Sequence, residues 1–184
     1  MRLIKILSNL EDDDTMHLAR LLVLLGAFVG QDESKTVNGI TKLVKLDFLL
    51  RYPVYLERAL HYVGASTVNA RVLEHERKSV ESSMIRYHYG PWDPRYRRFV
   101  NLLVGKGLAR VYFQGHTIKI ALTEKGIQKA EEMSRDENFE DIAYRAEILR
   151  KHFDFGATRL KNFIYEVFPE ILSLQLGEEI KLEL

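Results

Sequence analysis

The chain has 184 residues, 46% hydrophobic and 29% charged, which are ordinary globular values and exclude a wholly disordered chain. It has no cysteine, so disulfides, thiolate catalysis, iron–sulfur clusters and zinc fingers are all excluded. A chain of this length buries about 70% of its unfolded surface and holds a core without staples. The formal net charge of +1 conceals a split. Residues 1–85 carry eleven Lys and Arg against eleven Asp and Glu, residues 86–129 nine against two, and residues 130–184 seven against thirteen. Such asymmetry fits an anionic partner for the middle third, and equally fits that segment binding the chain's own acidic end.

The start, Met1-Arg2-Leu3-Ile4-Lys5-Ile6, lacks the pattern of a secretory signal. The longest apolar run, residues 21–29, falls far short of the ~20 residues of a bilayer span. A soluble, cytoplasmic protein with no membrane partner is expected. The run Glu11-Asp12-Asp13-Asp14-Thr15 precedes the periodic set Leu18, Leu21, Leu22 and Leu25 and reads as a helix N-terminus. It lacks the alternation of a calcium-binding loop.

Residues 39–50 form a second expected helix, apolar nearly all round and therefore buried on several sides. Asp47 falls in the middle of its Ile40/Leu43/Val44 face, with Arg51 one turn further on. An internal ion pair is the favoured reading; a pair kept for a partner protein or a switch is the sharper one. Tyr52-Pro53 ends this helix, and Pro53 opens the next, to about Val63. After a break at residues 64–69, a solvated helix rich in Arg, Glu and Lys is expected over residues 70–89.

Tyr89-Gly90-Pro91-Trp92-Asp93-Pro94 is a turn, with Asp93 as N-cap and Pro94 at the first helical position. In the helix that follows, Tyr96, Phe99, Val100 and Leu103 define a core face, while Arg98 and Asn101 lie opposite, flanked by Arg95 and Arg97. Gly105 and Gly107 stop it. Residues 109–113 and 117–121 read as strands around Gln114-Gly115-His116, a tight hairpin, and Thr123 caps a helix to about Ser134. Helix, helix, two-stranded wing, helix is the order of a winged helix-turn-helix. The chain ends with a helical segment from Asp136 to about Phe153 and an amphipathic helix over residues 158–167. Its tail, residues 177–184, alternates charged and apolar residues and is either a strand on a sheet edge or a frayed end.

The expected fold is therefore mainly α with a small β-hairpin wing (α+β). A winged helix-turn-helix module spans residues 81–134, an N-terminal helical region (1–80) packs against it, and C-terminal helices and the tail occupy 135–184.

Catalytic motifs are missing. There is no phosphate-binding loop, no G-x-S-x-G elbow and no H-E-x-x-H pair, and the six histidines show no metal-binding spacing. No enzyme, cofactor or metal is expected. Arg95, Arg97, Arg98 and Asn101, with Arg110 and Lys119 of the wing, form a candidate DNA-binding strip: Arg and Lys suit phosphates, and Arg or Asn can read base edges. The same faces suit acidic protein helices. Trp92, beside several tyrosines and arginines, could stack a base, but a Gly-Pro-Trp turn before an amphipathic helix is better explained by core packing.

Four stretches together resemble a known family. They are Gly39-Ile-Thr-Lys-Leu-Val-Lys-Leu-Asp-Phe-Leu-Leu-Arg-Tyr-Pro53, Tyr89-Gly-Pro-Trp-Asp93, Leu122-Thr-Glu-Lys-Gly126 and Arg159-Leu-Lys-Asn-Phe-Ile-Tyr-Glu-Val-Phe-Pro169. In this order they resemble the middle components of bacterial ABC three-component systems, including the small subunit of Lamassu-type anti-phage and anti-plasmid complexes. The likeness covers about residues 15–170, and its most specific part is the stretch ending at Pro53. It implies a non-enzymatic adaptor linking an SMC-like ATPase, which senses foreign DNA, to an effector nuclease. It also implies that Asp47, Arg51, Tyr52 and Pro53 belong to a shared motif shaping a partner interface. The alternative is a winged-helix transcriptional regulator acting as a homodimer on an operator.

Overall fold

A long first helix, α1 (Arg2–Val29), sets the frame, burying Leu18, Leu21, Leu22, Leu25 and Val29 in the core. The computed structural model describes residues 2–78 and 83–181, with side chains from residue 14 onward. The acidic run expected to cap a helix lies instead inside α1. Asp and Glu are only mildly unfavourable within helices, and Asp14 finds a cationic partner in Arg98.

Strand β1 (Val37–Asn38) leads into α2 (Ile40–Arg51), buried from Lys42 through Arg51, and α3 (Pro53–Tyr62) follows with proline at its first turn. The helix expected over residues 70–89 does not form. A 3-10 turn at Thr67–Ala70 and an irregular stretch lead instead to a hairpin, β2 (Ile85–Tyr87) and β3 (Gly90–Trp92). Residues 79–82 of that expectation lie outside the described residues. Gly90 adopts φ +100, which side chains disfavour, and closes the two-residue His88-Tyr89 turn.

Helix α4 (Tyr96–Gly105) buries Tyr96, Phe99, Val100 and Leu103, as its periodicity requires. It starts two residues after Pro94, because Asp93 spans a preliminary turn: its carboxylate accepts the Arg95 N–H (2.9 Å) and its carbonyl the Tyr96 N–H (3.2 Å). Strands β4 (Ala109–Gln114) and β5 (Thr117–Leu122) form the hairpin, with Gly115 at φ +61. Helix α5 (Glu124–Ser134) is capped by the Thr123 hydroxyl, which accepts the Gly126 N–H at 3.0 Å. A Cβ on Gly126 would lie 1.9 Å from the Leu108 carbonyl oxygen, so glycine lets α5 sit directly on the base of β4.

The sheet is ordered β1-β5-β4, so β1, from the N-terminal region, completes it. Helices α6 (Glu140–Phe153), α7 (Ala157–Val167) and α8 (Glu170–Ser173) follow. The tail then returns to β2: Gly177 and Ile180 N–H groups donate to the Arg86 and Met84 carbonyls, and Arg86 N–H donates to Glu178, each at 2.8 Å. The strand-on-an-edge reading of the tail therefore holds through Ile180, while residues 182–184 lie outside the described residues.

One hydrophobic cluster runs from Leu18 to Ile180 and draws on residues 1–80, 81–134 and 135–184 alike. Trp92 packs against it, half-buried. Among the described residues no helix is long and apolar enough to cross a membrane.

Candidate functional site: a basic strip and the ionic network beneath it

Asp47, fully buried, is the hub of a network joining α1, α2 and α4. Arg20 of α1 donates to both its oxygens (2.7 and 3.2 Å), Arg51 Nε donates at 2.7 Å, and the Tyr96 hydroxyl donates to Oδ2. Arg51 extends the chain to Asp93 (2.9 Å), which Arg95 also contacts through Nε and a terminal nitrogen (3.1 and 3.0 Å). Arg20 is further held against His17 Nδ1 at 2.6 Å, and the His17 ring stacks on Phe99. Burial pushes the Asp47 carboxyl up. The charges of Arg20 and Arg51, with hydrogen bonds from Arg20 and Tyr96, outweigh it and hold the group well below the usual carboxylate range. Asp93 behaves alike: burial opposes, the Arg95 hydrogen bonds and the Arg51 charge prevail, and its pKa falls to about 2.

This arrangement is the internal ion pair expected for Asp47 and Arg51, enlarged by residues that sequence reasoning missed. Arg20 stands 27 positions from Asp47, and no local pattern couples them. The four residues of the expected partner interface, Asp47, Arg51, Tyr52 and Pro53, are all buried, their side chains packed in the interior of this chain. Tyr52 clamps three segments: its hydroxyl accepts the Met84 N–H (2.8 Å) and donates to the Ile180 carbonyl (2.9 Å). Arg145, also unforeseen, performs a similar task on the far side, bonding the Ala70 and Arg71 carbonyls and both oxygens of Glu76.

The candidate strip lies above this network, and most of its cations are engaged. Arg95 folds back onto Asp93, Arg98 pairs with Asp14, Arg110 pairs with Glu33 at 3.3 Å, and Lys119 donates to the Asn38 side chain at 3.0 Å. Arg97 and Asn101 are exposed and make no polar side-chain contact among the described residues. Of the nine cations of the middle third, three, Arg95, Arg98 and Arg110, are thus answered by Asp93, Asp14 and Glu33. The acidic end turns instead to the N-terminal region, through Lys42–Asp154, Arg58–Glu170 and Arg71 with Glu140 and Asp141. Beside the strip, β4 exposes Val111, Tyr112 and Phe113, the last to 73%.

Lys45 is a different buried cation. It is 1% exposed, its ammonium donates to the Pro91 carbonyl at 3.0 Å, and burial with the nearby Lys161 charge lowers its pKa to about 7. It helps seat the β2–β3 hairpin on α2. Among the described residues no three His, Asp or Glu side chains gather as a metal site. No family model matches this chain, and neither a curated protein nor a solved structure is found to be similar to it.

Proposed function

We propose that this protein is a non-enzymatic adaptor that holds an effector nuclease to an SMC-like ATPase in a bacterial antiviral or anti-plasmid complex. It resembles the middle component of ABC three-component systems, of which Lamassu is one type. The winged helix expected over residues 81–134 widens in this reading to take in α1, β1 and α2 beside α4, β4, β5 and α5, with α3 and the β2–β3 hairpin inserted before the recognition helix α4. The sheet order β1-β5-β4 supports that reading.

The observation that carries an adaptor over a DNA reader is the character of the outer face. Arg95, Arg98, Arg110 and Lys119 are tied to groups of the same chain, whereas the wing exposes Val111, Tyr112 and Phe113. Exposed ion pairs give way to a new partner easily, so it is the apolar cluster, a mark of protein contacts, that favours the adaptor. Arg97 and Asn101 remain open on α4 and are the residues through which double-stranded DNA would be touched. They are also what a winged-helix regulator would use.

A tagged pull-down from the native host at moderate salt, with nuclease added, tests the proposal. Recovery of a large coiled-coil ATPase together with an effector is the expected result. Recovery of a bare homodimer, retaining one operator sequence when nuclease is omitted, would establish the regulator instead.

A further inference from the structure

Among the described residues, the buried cations are answered by carboxylates, with one exception. Arg20 and Arg51 meet Asp47, Lys42 meets Asp154, and Arg145 meets Glu76. Lys45 of α2, only 1% exposed, meets no carboxylate among them. Its ammonium carries three N–H groups, and the Pro91 carbonyl takes one.

Two more cations without a carboxylate among the described residues stand close by. Arg86 lies directly across the β2–β3 ladder from Pro91. One of its terminal nitrogens donates to the Leu174 carbonyl (2.9 Å), while its Nε is buried with no partner. Lys161 and Tyr165 are one turn apart on α7, and both face the hairpin. The Lys161 ammonium lies 5.8 Å from the centre of the Tyr89 ring, and the Tyr165 hydroxyl donates to the His88 carbonyl at 3.3 Å. Gly90 joins these parts. A Cβ there would lie 3.5 Å from Lys45 Cε, 3.7 Å from its ammonium and 3.6 Å from the Tyr165 ring, so glycine leaves a methyl-sized space between them. The charges act on one another here: Lys161 adds to the burial that lowers the Lys45 pKa, and Arg86 opposes the burial that raises that of Tyr165.

A buried cation without a counter-charge is costly, and cations gathered from α2, β2 and α7 repel one another as well. The missing partner is an anion. We infer that the turn of the β2–β3 hairpin and the facing side of α7 bind a phosphate group, held between Lys45 and Lys161 and within the field of Arg86. A phosphate monoester, with three free oxygens and close to two charges, matches donors that arrive from separate elements. A carboxylate offers one charge and two oxygens. Tyr89, 61% exposed beside Lys161, supplies a stacking surface where the phosphate belongs to a nucleotide. The site uses no residue of α4 or the wing, and it stands independently of the adaptor reading.

Calorimetric titration of the full chain near pH 7 with inorganic phosphate, adenosine 5′-monophosphate, adenosine and acetate, at matched ionic strength, tests the inference. Both phosphate compounds should bind at least about tenfold more tightly than acetate. A monophosphate about tenfold tighter than inorganic phosphate assigns the site to a nucleotide, and equal affinities assign it to phosphate itself. Lys45→Met removes an unpaired charge from the interior, and Lys161→Met alters a partly exposed side chain, so both variants keep the fold. Each should weaken phosphate binding by about tenfold or more. Phosphate binding no tighter than acetate, adenosine binding as tightly as its monophosphate, or affinity unchanged in the two variants overturns the inference.

Discussion

The network around Asp47 and the strip on α4 and the wing use the same chemistry, Arg against carboxylate, in opposite settings. Asp47, Arg51 and Asp93 are nearly sealed from solvent, with side chains 3% exposed or less. Arg98 and Arg110 keep more than half of their side-chain surface in water while making their pairs. In the interior, each charge depends on its partners because water cannot replace them. On the surface, water and salt replace a lost partner easily. The buried network therefore fixes where α4 stands, and the exposed pairs leave its outer face available for contact.

The sharpest way to break this contrast is Asp47→Ala, which leaves Arg20 in the core with no carboxylate and Arg51 with Asp93 alone. Denaturant unfolding should show a loss of about 3–5 kcal/mol, or failure to fold. The same network predicts acid sensitivity. Asp47 and Asp93 have pKa values below their unfolded ones, so their stabilisation is complete above about pH 4 and is lost as pH falls through the folded values, toward pH 2 for Asp93. Unfolding followed between pH 5 and pH 2 measures it.

Lys45 sharpens the comparison from the other side, as a buried cation answered by a carbonyl and, among the described residues, no carboxylate. Its folded pKa of about 7 lies below the unfolded value of 10.5, so the unfolded chain binds the extra proton between those limits. Stability should rise with pH from about 7 toward 9.5, by at most about 1.4 kcal/mol per pH unit. Above that range Tyr52 and Tyr96, whose pKa values burial raises, oppose the trend. Lys45→Met should raise stability at pH 7 and remove the slope, as read from paired pH series of the two proteins.

What the sequence revealed followed from the range of each signal. The core face of α4, the Gly115 turn and the Thr123 cap depend on residues within a few positions of one another, and all three stand as expected. The stretch before the β2–β3 hairpin misled, because its Arg, Glu and Lys residues favour helices intrinsically. The outer edge of β2 is paired by a tail about ninety residues away, as in Ile85 against Glu179. The strip illustrates the same limit. Its cations could be named from helical spacing, but Asp14, Glu33 and Asn38, which occupy three of them, come from distant segments.

The smallest effects belong to the surface. Arg98→Ala and Arg110→Ala should each change stability by about 1 kcal/mol or less, with the difference shrinking as salt rises in melts at low and high ionic strength.

The most direct test of the account exploits that tolerance. Arg97→Glu should leave unfolding within about 1 kcal/mol of wild type, because Arg97 is exposed on α4. Quantitative mass spectrometry of the tagged chain recovered from host cells should nevertheless show loss of the ATPase or the effector. Full recovery of both partners would contradict the claim that this face of α4 is a contact surface, as would a variant that fails to fold.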